Sequence, residues 1–498
     1  MASVCVIFYY AFTLLMAGAC VYLPYMLLTR GNINLVQELV LFLCGLAMSA
    51  TIIWSLIPRR DRFVPPGPLL SPGDQPRLFL ELEQIAASFQ EPMPSAVYLT
   101  PEVNAWVAQR GGIMGFGSYR VMGIGLPLMQ VLSVSQFRAM LAHEFGHFYE
   151  GDTRLGPLVY MARTGMVRTL ENLAVDSPFA DAISRLGLAR LAHAIVLALL
   201  TGYWKLFMRI TQFVSRKQEY RADELACAVA GSAALCDGLR TTEGAAAVIN
   251  DFWFTEVAAS LDAGYRPPIA EGFGRFLRAP QVAAVTRESV ERTLKEATTN
   301  AYDTHPSLRD RIAAMSSLRI AEKEQLTDPA TTLLSEIDGL ELLIVGQVAP
   351  EIDAKTLQRL DWAAIGKQVY VPIWKGVVTE FAPLIDGATV ASLPDTLKKV
   401  PDFASKMRDP VGTLLTREQR VERACNLLWM AFALGLVNAG WEVQSEPGQF
   451  CLFCGSERIN PIVSFGELRS GVKDRIAWRD WAERLGIANI PLRPESGC

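Results

Sequence analysis

The chain has 498 residues, of which 51% are apolar and 20% are charged, and this composition excludes a disordered, collagen-like or low-complexity protein. Its 47 Lys and Arg residues are balanced by 51 Asp and Glu residues, and the resulting net charge of −4 argues against a nucleic-acid partner. The length corresponds to roughly three domains of ordinary size.

Two apolar runs at the start of the chain predict a transmembrane helical hairpin. Residues 1–29 contain no Asp, Glu, Lys or Arg, and residues 31–58 contain only Glu38. A helix that spans a bilayer needs about 20 apolar residues, and both runs are long enough. We therefore predict spanning helices at 4–28 and 36–57.

Basic residues next to the hairpin predict its orientation. Arg59, Arg60 and Arg62 follow the second run at once, whereas the turn between the runs carries only Arg30. The positive-inside rule then places the N-terminus and the chain after the hairpin in the cytoplasm. A cleaved signal peptide is disfavoured, because no positive region precedes the first run and the run is too long.

The next segments alternate between helical and strand-like patterns. A Pro/Gly-rich linker at 64–76 precedes an amphipathic helix at 77–90. Strand-like segments follow at 96–99 and 119–124, on either side of a Gly-rich bend at 111–117.

The pattern H-E-x-x-H occurs at 143–147, in a segment with helical periodicity. Ser133 and Gln136 resemble a capping box at the start of this helix. Residues four positions apart share one face of a helix, so the imidazoles of His143 and His147 can bind the same metal ion. Two neutral ring nitrogens and a carboxylate are ligands that suit zinc, with a fourth position left for water.

Glu144 lies beside the first histidine, where it can contact a metal-bound water without binding the metal. We interpret Glu144 as the general base that takes a proton from this water as the water attacks a carbonyl carbon. The five-residue pattern also arises by chance on surface helices. Apolar neighbours argue against a surface helix here: Met140, Leu141, Ala142, Phe145 and Phe148.

The third metal ligand must come from elsewhere in the chain. Glu150 and Thr153 stand where a metzincin site has glycine and histidine, which excludes that class. Glu171 and Glu219 are both candidates for the third ligand. Asp223 lies four residues after Glu219, so one of these two could bind the metal while the other supports a ligand histidine. Both could equally belong to a solvated charged face, and spacing alone leaves these alternatives open.

These motifs resemble peptidase family M48, the membrane-bound gluzincins that include HtpX-like proteases and CAAX prenyl proteases. The resemblance covers residues 85–320, with four pieces in consistent order. These pieces are His143-Glu144-Phe145-Gly146-His147, Asp152, Glu219-Tyr220-Arg221-Ala222-Asp223 and Thr304-His305-Pro306-Ser307-Leu308. Asn104-Ala105 and Gly125-Leu126-Pro127-Leu128 look like the edge-strand region of the family.

The resemblance implies a role for each of several residues. It implies one Zn²⁺ per chain with Glu219 as its third ligand, and Asp223 and Asp152 as residues that support the ligands. It also implies that His305 stands near the metal, where it could stabilise the oxyanion of a tetrahedral intermediate.

The resemblance further implies how a substrate binds. A protein or peptide substrate would lie extended along an edge strand near 119–126, adding main-chain hydrogen bonds to it. Asn104 and Gly125 would belong to this substrate-binding edge.

One departure from the family concerns the membrane. HtpX-like members have a second pair of spans between the histidines and the glutamate, whereas here only 191–204 is apolar enough. An even number of crossings must separate His147 from Glu219, because both must reach one metal ion. We therefore predict that 191–204 dips into or lies on the membrane, with Trp204 and Lys205 at the interface.

The C-terminal third matches no motif of the family. Residues 424–441 predict a buried core helix rather than a span, and 441–453 predict a β-hairpin. A single C-x-x-C at 451–454 lacks a partner pair, so it supports a structural zinc site only weakly.

Together these patterns predict a mainly α protein with a small β-sheet (α+β). It comprises a transmembrane hairpin at 1–62, a zincin-like metallopeptidase domain at 63–330 and a C-terminal α+β accessory domain at 331–498. The expected function is that of a membrane-anchored zinc endopeptidase of the bacterial inner membrane, cytoplasmic in its active site, that serves membrane protein quality control. The alternative is a regulatory or signalling membrane protein whose C-terminal domain binds a partner, with narrow or no proteolysis.

Overall fold

The structure is a computed structural model. It describes residues 2–30, 35–113, 116–149, 156–174, 187–296, 305–321, 323–407 and 414–493, so Asp152 lies outside the described residues. The chain divides into two compact units, the first formed by Met1–Ala246 and Glu288–Leu340 and the second by Ala247–Arg287 and Glu341–Cys498. The predicted division into domains at 1–62, 63–330 and 331–498 stays a prediction.

Helices dominate both units. In chain order they are α1 Ala2–Arg30, α2 Leu35–Leu56, α3 Pro76–Ser88, α4 Leu126–Val131, α5 Val134–Gly146, α6 Gly156–Asn172, α7 Gly187–Ala230, α8 Ser232–Ala246, α9 Ile249–Phe252, α10 Ala258–Asp262, α11 Ile269–Arg278, α12 Pro280–Glu296, α13 Leu308–Ser316, α14 Ile337–Val348, α15 Trp362–Ile365, α16 Val371–Glu380, α17 Leu393–Leu397, α18 Val400–Lys406, α19 Arg417–Asn438, α20 Pro461–Arg469 and α21 Arg475–Arg484. The strands are β1 Leu69–Leu70, β2 Ala96–Thr100, β3 Ala105–Arg110, β4 Tyr119–Gly125, β5 Tyr265–Arg266, β6 Gln358–Arg359, β7 Glu442–Glu446, β8 Gln449–Cys454 and β9 Glu457–Ile459. This mainly helical architecture with small sheets confirms the predicted fold class.

Three helices of the first unit are long and apolar enough to cross a membrane. Two of them, α1 and α2, correspond to the predicted hairpin, and they pack against each other. Gly45 lies at this contact, where a Cβ atom would come within 2.0 Å of the carbonyl oxygen of Cys20. Two packed apolar helices therefore occupy the positions of the predicted spans, and their close approach explains the glycine. That they cross a membrane as a hairpin stays a prediction.

The third candidate span among the described residues is α7, which includes residues 191–204. These residues belong to a continuous helix of 44 residues, which packs against both α1 and α2. Ala189 packs with Leu41 near one end of the hairpin, and Phe207 belongs to the apolar cluster of Val6 and Tyr9 near the other end. The helix rises about 27 Å over this stretch, close to the thickness of a hydrocarbon core. The helix continues past Arg190 and Lys205, the charged residues that bound the apolar run. That 191–204 dips into or lies on the membrane stays a prediction.

Helix α6 runs alongside the same bundle. Ala162 and Met166 join the cluster around Val6, whereas Leu173, just after the helix, contacts Met16 and the residues around it. The chain therefore enters the bundle through α6 and returns through α7. Arginines at two positions of α6 conceal this arrangement in the sequence, because they lower its hydropathy.

A four-stranded sheet in the order β1-β2-β4-β3 lies next to the helix that carries the two histidines. Strand β4 pairs in parallel with β2 and antiparallel with β3, so it is an inner strand. The prediction of an edge strand near 119–126 is therefore wrong. The edge is β3, since no other described strand pairs with its far side.

The two residues predicted at the substrate edge take other positions in this sheet. Gly125 is the last residue of β4, and its N–H donates to the carbonyl oxygen of Asn104 at 2.9 Å. A Cβ atom at Gly125 would come within 1.8 Å of the carbonyl oxygen of Glu102, which explains the glycine by packing. These main-chain groups are used within the sheet, so they are not free to bind a substrate.

In the second unit, α19 runs through an apolar core. Its buried residues include Leu428, Phe432 and Leu436, as expected for the predicted core helix. The predicted β-hairpin is confirmed, since β7 and β8 pair antiparallel and meet at a turn with Gly448 at φ +72°. Both cysteines of the C-x-x-C segment lie on β8 as free thiols.

Candidate metal centre

Local sequence signals set the ends of α5, the helix that carries two candidate ligands. The Ser133 hydroxyl accepts a hydrogen bond from the Gln136 N–H at 3.3 Å, and the Gln136 side chain accepts one from the Ser133 N–H at 3.0 Å. The predicted capping box is therefore confirmed. The helix ends at Gly146, but His147 keeps helical dihedral angles, so its ring stays on the face of His143.

Helix α7 brings Glu219 to these two rings. It approaches α5 closely, because a Cβ atom at Gly146 would lie only 3.1 Å from the Cα of Ala222. Oε2 of Glu219 is 3.5 Å from Nε2 of His143, and Oε1 is 3.6 Å from Nε2 of His147. The ligand atoms of the three residues all lie within 4.8 Å of one another. We call these three residues the ligand cluster.

The ligand cluster fits a divalent metal ion. Tetrahedral coordination at 2.0–2.1 Å separates ligand atoms by about 3.3 Å, close to the separations observed here. Oε2 of Glu219 is buried and has no hydrogen-bond partner among the described residues, a costly arrangement that a bound cation would relieve. The other candidate ligand, Glu171, is exposed and does not belong to the cluster.

Asp223 lies behind the cluster, on the far side of the first histidine. Its Oδ1 is 3.0 Å from Nδ1 of His143, which can donate to it and thereby direct Nε2 towards Glu219. The guanidinium group of Arg311 holds both oxygens of Asp223, with Nη2–Oδ1 at 2.6 Å and Nε–Oδ2 at 2.9 Å. Arg311 also lies 4.0 Å from Oε2 of Glu219, so it compensates the carboxylates around the site.

Sequence reasoning missed Arg311. It lies on α13, whose first turn is capped by the Ser307 hydroxyl. The one available signal is its position four residues after this cap, just behind the H-P-S segment at 305–307. An arginine on an exposed helix would give the same pattern, and only tertiary packing brings it to Asp223.

The two histidines of α5 differ in their affinity for protons. Burial lowers the pKa of His143, but the nearby carboxylates of Asp223 and Glu219 outweigh this effect and raise it to about 9. Burial and the nearby charge of His143 lower the pKa of His147 to about 4. In the metal-free site these shifts favour the imidazolium form of His143 and the neutral form of His147. A metal ion that binds Nε2 of both rings must displace the Nε2 proton of His143.

Glu144 lies between the ligand cluster and the sheet. Its carboxylate accepts a hydrogen bond from the N–H of Val107 on β3, and burial raises its pKa. Alternate residues of an edge strand direct their main-chain groups away from the neighbouring strand. Asn104 faces β4, so Ala105, Val107 and Gln109 face the open side, next to Glu144.

His305 lies on the solvent side of the cluster. Its Nδ1 is 2.9 Å from Oε1 of Glu219, and its side chain is 62% exposed. The structure therefore brings His305 next to the ligand cluster, on its exposed side. Asp152 is the one predicted site residue that the described part of the chain does not include.

Replacing Arg311 by Gln is expected to weaken metal binding by about 10–100-fold, the usual cost of removing support from a ligand histidine. The amide cannot hold both oxygens of Asp223, which then orients His143 poorly. Arg311→Lys keeps the charge but loses the two-pronged contact, so an intermediate loss is expected. Metal affinity is measured by competition with a chromophoric chelator.

The matched control is Arg309→Gln on the same helix. Arg309 is about half exposed and pairs with its neighbour Asp310 at 3.7 Å. Equal metal affinities for the Arg309 and Arg311 variants would show that Arg311 does not position the ligands.

Comparisons with known proteins agree with this site. The family model for peptidase family M48 matches residues 72–319, about half of the chain. A protease HtpX of Pseudomonas putida is 31% identical over 150 residues, which cover 28% of this chain and 49% of that protein. A protease HtpX of Acinetobacter baylyi is 26% identical over 226 residues, which cover 44% of this chain and 65% of that protein. The chain thus spans about half to two thirds of the length of these relatives.

A crystal structure of Ste24p from S. mikatae is also similar, with 16% sequence identity over 60% of this chain and 62% of that protein. Its TM-score of 0.28 is too low to support a statement about this chain. The match to the family model does support a statement about this chain, because the matched residues include the H-E-x-x-H helix, the glutamate of α7 and the residues that hold them in place. The chain belongs to peptidase family M48.

Proposed function

We propose that this membrane protein is a zinc-dependent endopeptidase that hydrolyses peptide bonds of protein substrates. One observation carries the proposal: the ligand cluster and the carboxylate of Glu144 meet beside the open edge of β3. Two imidazole nitrogens and one carboxylate, with room for a fourth ligand, favour zinc over magnesium or calcium.

The residues around the cluster supply the acid–base chemistry. A bound zinc ion would lower the pKa of a water molecule and polarise the scissile carbonyl group. Glu144 takes the proton from the attacking water and later gives it to the leaving amine, and its raised pKa suits this exchange. His305 donates a hydrogen bond to the oxyanion of the substrate.

The open edge of β3 provides a place for the substrate. An extended peptide can pair with Gln109 and with the carbonyl oxygen of Val107, whose N–H is held by Glu144, as β-strand addition requires. The bond to be cleaved would then lie close to Glu144, because Val107 already contacts this carboxylate. Endopeptidase activity follows, since the edge does not require a chain terminus.

The orientation and the cellular role are further parts of the proposal. The basic residues at 59, 60 and 62 favour a cytoplasmic active site in a bacterial inner membrane. The HtpX relatives are proteases by name, and the helical bundle of α1, α2, α6 and α7 supports a role in membrane protein quality control. The alternative of a regulatory protein without proteolysis is disfavoured, because the ligand cluster and Glu144 are all present.

Removal of the metal tests the proposal directly. The purified full-length protein is expected to cleave unfolded casein, and a strong chelator should reduce cleavage to background. One equivalent of zinc per chain should restore activity, because the site binds a single ion. A metal-free sample that still hydrolyses casein would refute the proposal, as would a zinc-loaded sample that cleaves no unfolded substrate.

A further inference from the structure

The hairpin of β3 and β4 ends in a turn that displays two large apolar side chains. Ile113 is 48% exposed and Phe116 is 83% exposed. Reciprocal main-chain hydrogen bonds of 3.0 and 2.9 Å join these two residues, so both are held at the end of the hairpin. We call the described residues 105–113 and 116–125 the arm. Exposed apolar residues alone are common, and their meaning depends on where the arm ends.

The end of the arm is fastened to the segment that leaves the membrane. The N–H of Asp61 donates to the carbonyl oxygen of Gly112 at 3.0 Å. The carboxylate of Asp61 accepts two hydrogen bonds from Arg110, at 2.8 and 3.0 Å, and one from the Gly111 N–H at 2.7 Å. Phe63 adds an aromatic contact with the arm, where the guanidinium of Arg110 lies 5.2 Å above its ring.

This fastening keeps the arm close to the bilayer. Helix α2 ends at Leu56, and five residues of extended chain cover at most about 18 Å before Asp61. Trp54 is 64% exposed in the last turn of α2, and tryptophan is enriched where spans meet the headgroups. The turn of the arm thus lies within reach of the membrane surface.

The positive charges that follow α2 favour contact with an anionic bilayer. Arg59, Arg60 and Arg62 are all exposed, and they flank the residue that is bound to the arm. Basic residues beside a span attract anionic headgroups, and neighbouring apolar side chains can enter the interface. The apolar and basic features therefore point to the same occupant.

We propose that the arm is a second membrane contact, in which Ile113 and Phe116 enter the headgroup region of an anionic bilayer beside Arg59, Arg60 and Arg62. The contact continues the membrane interface that begins with α2. The contact holds β3, the edge strand beside the ligand cluster, with the end that is next to Ile113 at the membrane surface.

This contact restricts the substrates, an extension that rests on the proposed function. Val107, beside Glu144, lies six residues along the strand from Ile113, a distance of about 20 Å. A substrate that leaves the bilayer along β3 therefore reaches the site with residues about six to ten positions from its membrane span. The substrate class is a membrane protein with an extended segment next to a span.

The lipid contact is tested without using activity. A photoreactive benzoylphenylalanine replaces Phe116 in the full-length protein, which is reconstituted in vesicles of phosphatidylglycerol and phosphatidylethanolamine. Lipid adducts are expected at this position.

The same label at Leu15, which is 70% exposed in α1, sets the yield for a residue in the bilayer. Vesicles of phosphatidylcholine, or the change Asp61→Asn, should lower the yield at 116 and leave that at 15 unchanged. The absence of lipid adducts at 116 would overturn the proposal.

The substrate preference is tested with reporters that carry one cleavable segment 8 or 30 residues from a single span, and with the same segment as a soluble peptide. The double change Ile113→Ser and Phe116→Ser should slow cleavage at the nearer position by about tenfold, since it lowers the local concentration of the substrate. Soluble-peptide cleavage should stay unchanged. Equal effects on all three substrates, or none, would overturn the substrate preference. A wild-type protein that cleaves none of them would refute the proposed function, while the lipid adducts would still decide the membrane contact.

Discussion

Replacing Glu144 by Gln is expected to reduce peptide hydrolysis by at least about 1,000-fold while the metal content stays the same. The amide can still accept the hydrogen bond from Val107, so the local structure is kept. It cannot take a proton from water, and that step is the role of Glu144 in the proposed reaction. The measurements are kcat for a peptide substrate and the metal content of the purified variant.

Glu224→Gln is the matched control for this change. Glu224 is half exposed on α7, and its carboxylate pairs with Arg221 at 3.1 Å, away from the ligand cluster. This variant should keep full activity. A Glu144→Gln protein that retains more than about a tenth of the activity would assign the base to another residue. A variant that loses its metal would instead show that Glu144 supports the ligand cluster.

Local signals in the sequence were sufficient for the parts of the molecule that depend on neighbouring residues. The hairpin of α1 and α2 follows from two long apolar runs, and the start of α5 follows from the capping box of Ser133. The shared face of His143 and His147 follows from helical periodicity alone. In each case the residues that determine the structure lie close to one another along the chain.

The third metal ligand could not be identified from the spacing of residues along the chain. Glu171 and Glu219 both follow the histidines at plausible positions along the chain. The choice depends on the path of α6 and α7 through the helical bundle and on the contact of Gly146 with Ala222. The family resemblance implied Glu219, whereas reasoning from the residues left the choice open.

The order of the strands in the sheet could not be predicted from the sequence either. The sequence patterns predict strands at 96–99 and 119–124 but none at 105–110, where β3 lies. The edge strand is then decided by which strand pairs with β2. Strand β2 pairs in parallel with β4, and β3 is left at the edge beside Glu144. This choice depends on how the sheet packs against α5. For this reason Gly125, which was predicted at the substrate-binding edge, lies on the inner strand β4.

Replacing Glu219 by Ala is expected to weaken metal binding by more than about 100-fold, beyond the usual loss for a residue that only supports a ligand. The change removes one of the three ligand atoms and leaves two imidazoles that cannot hold the ion tightly. Activity should fall with the metal content. Both are measured on protein purified at micromolar zinc, together with thermal unfolding in the presence and absence of a chelator.

Glu171→Ala is the control, because Glu171 was the competing candidate and lies exposed at the end of α6. It should keep one metal ion per chain. Metal ions that bind the folded state raise the unfolding temperature of a protein. Zinc should therefore stabilise the wild type and the Glu171 variant, but not the Glu219 variant, whose unfolding temperature should equal that of chelator-treated protein. Metal loss in the Glu171 variant alone would move the third ligand to α6, and the approach of α5 to α7 would then need a different explanation.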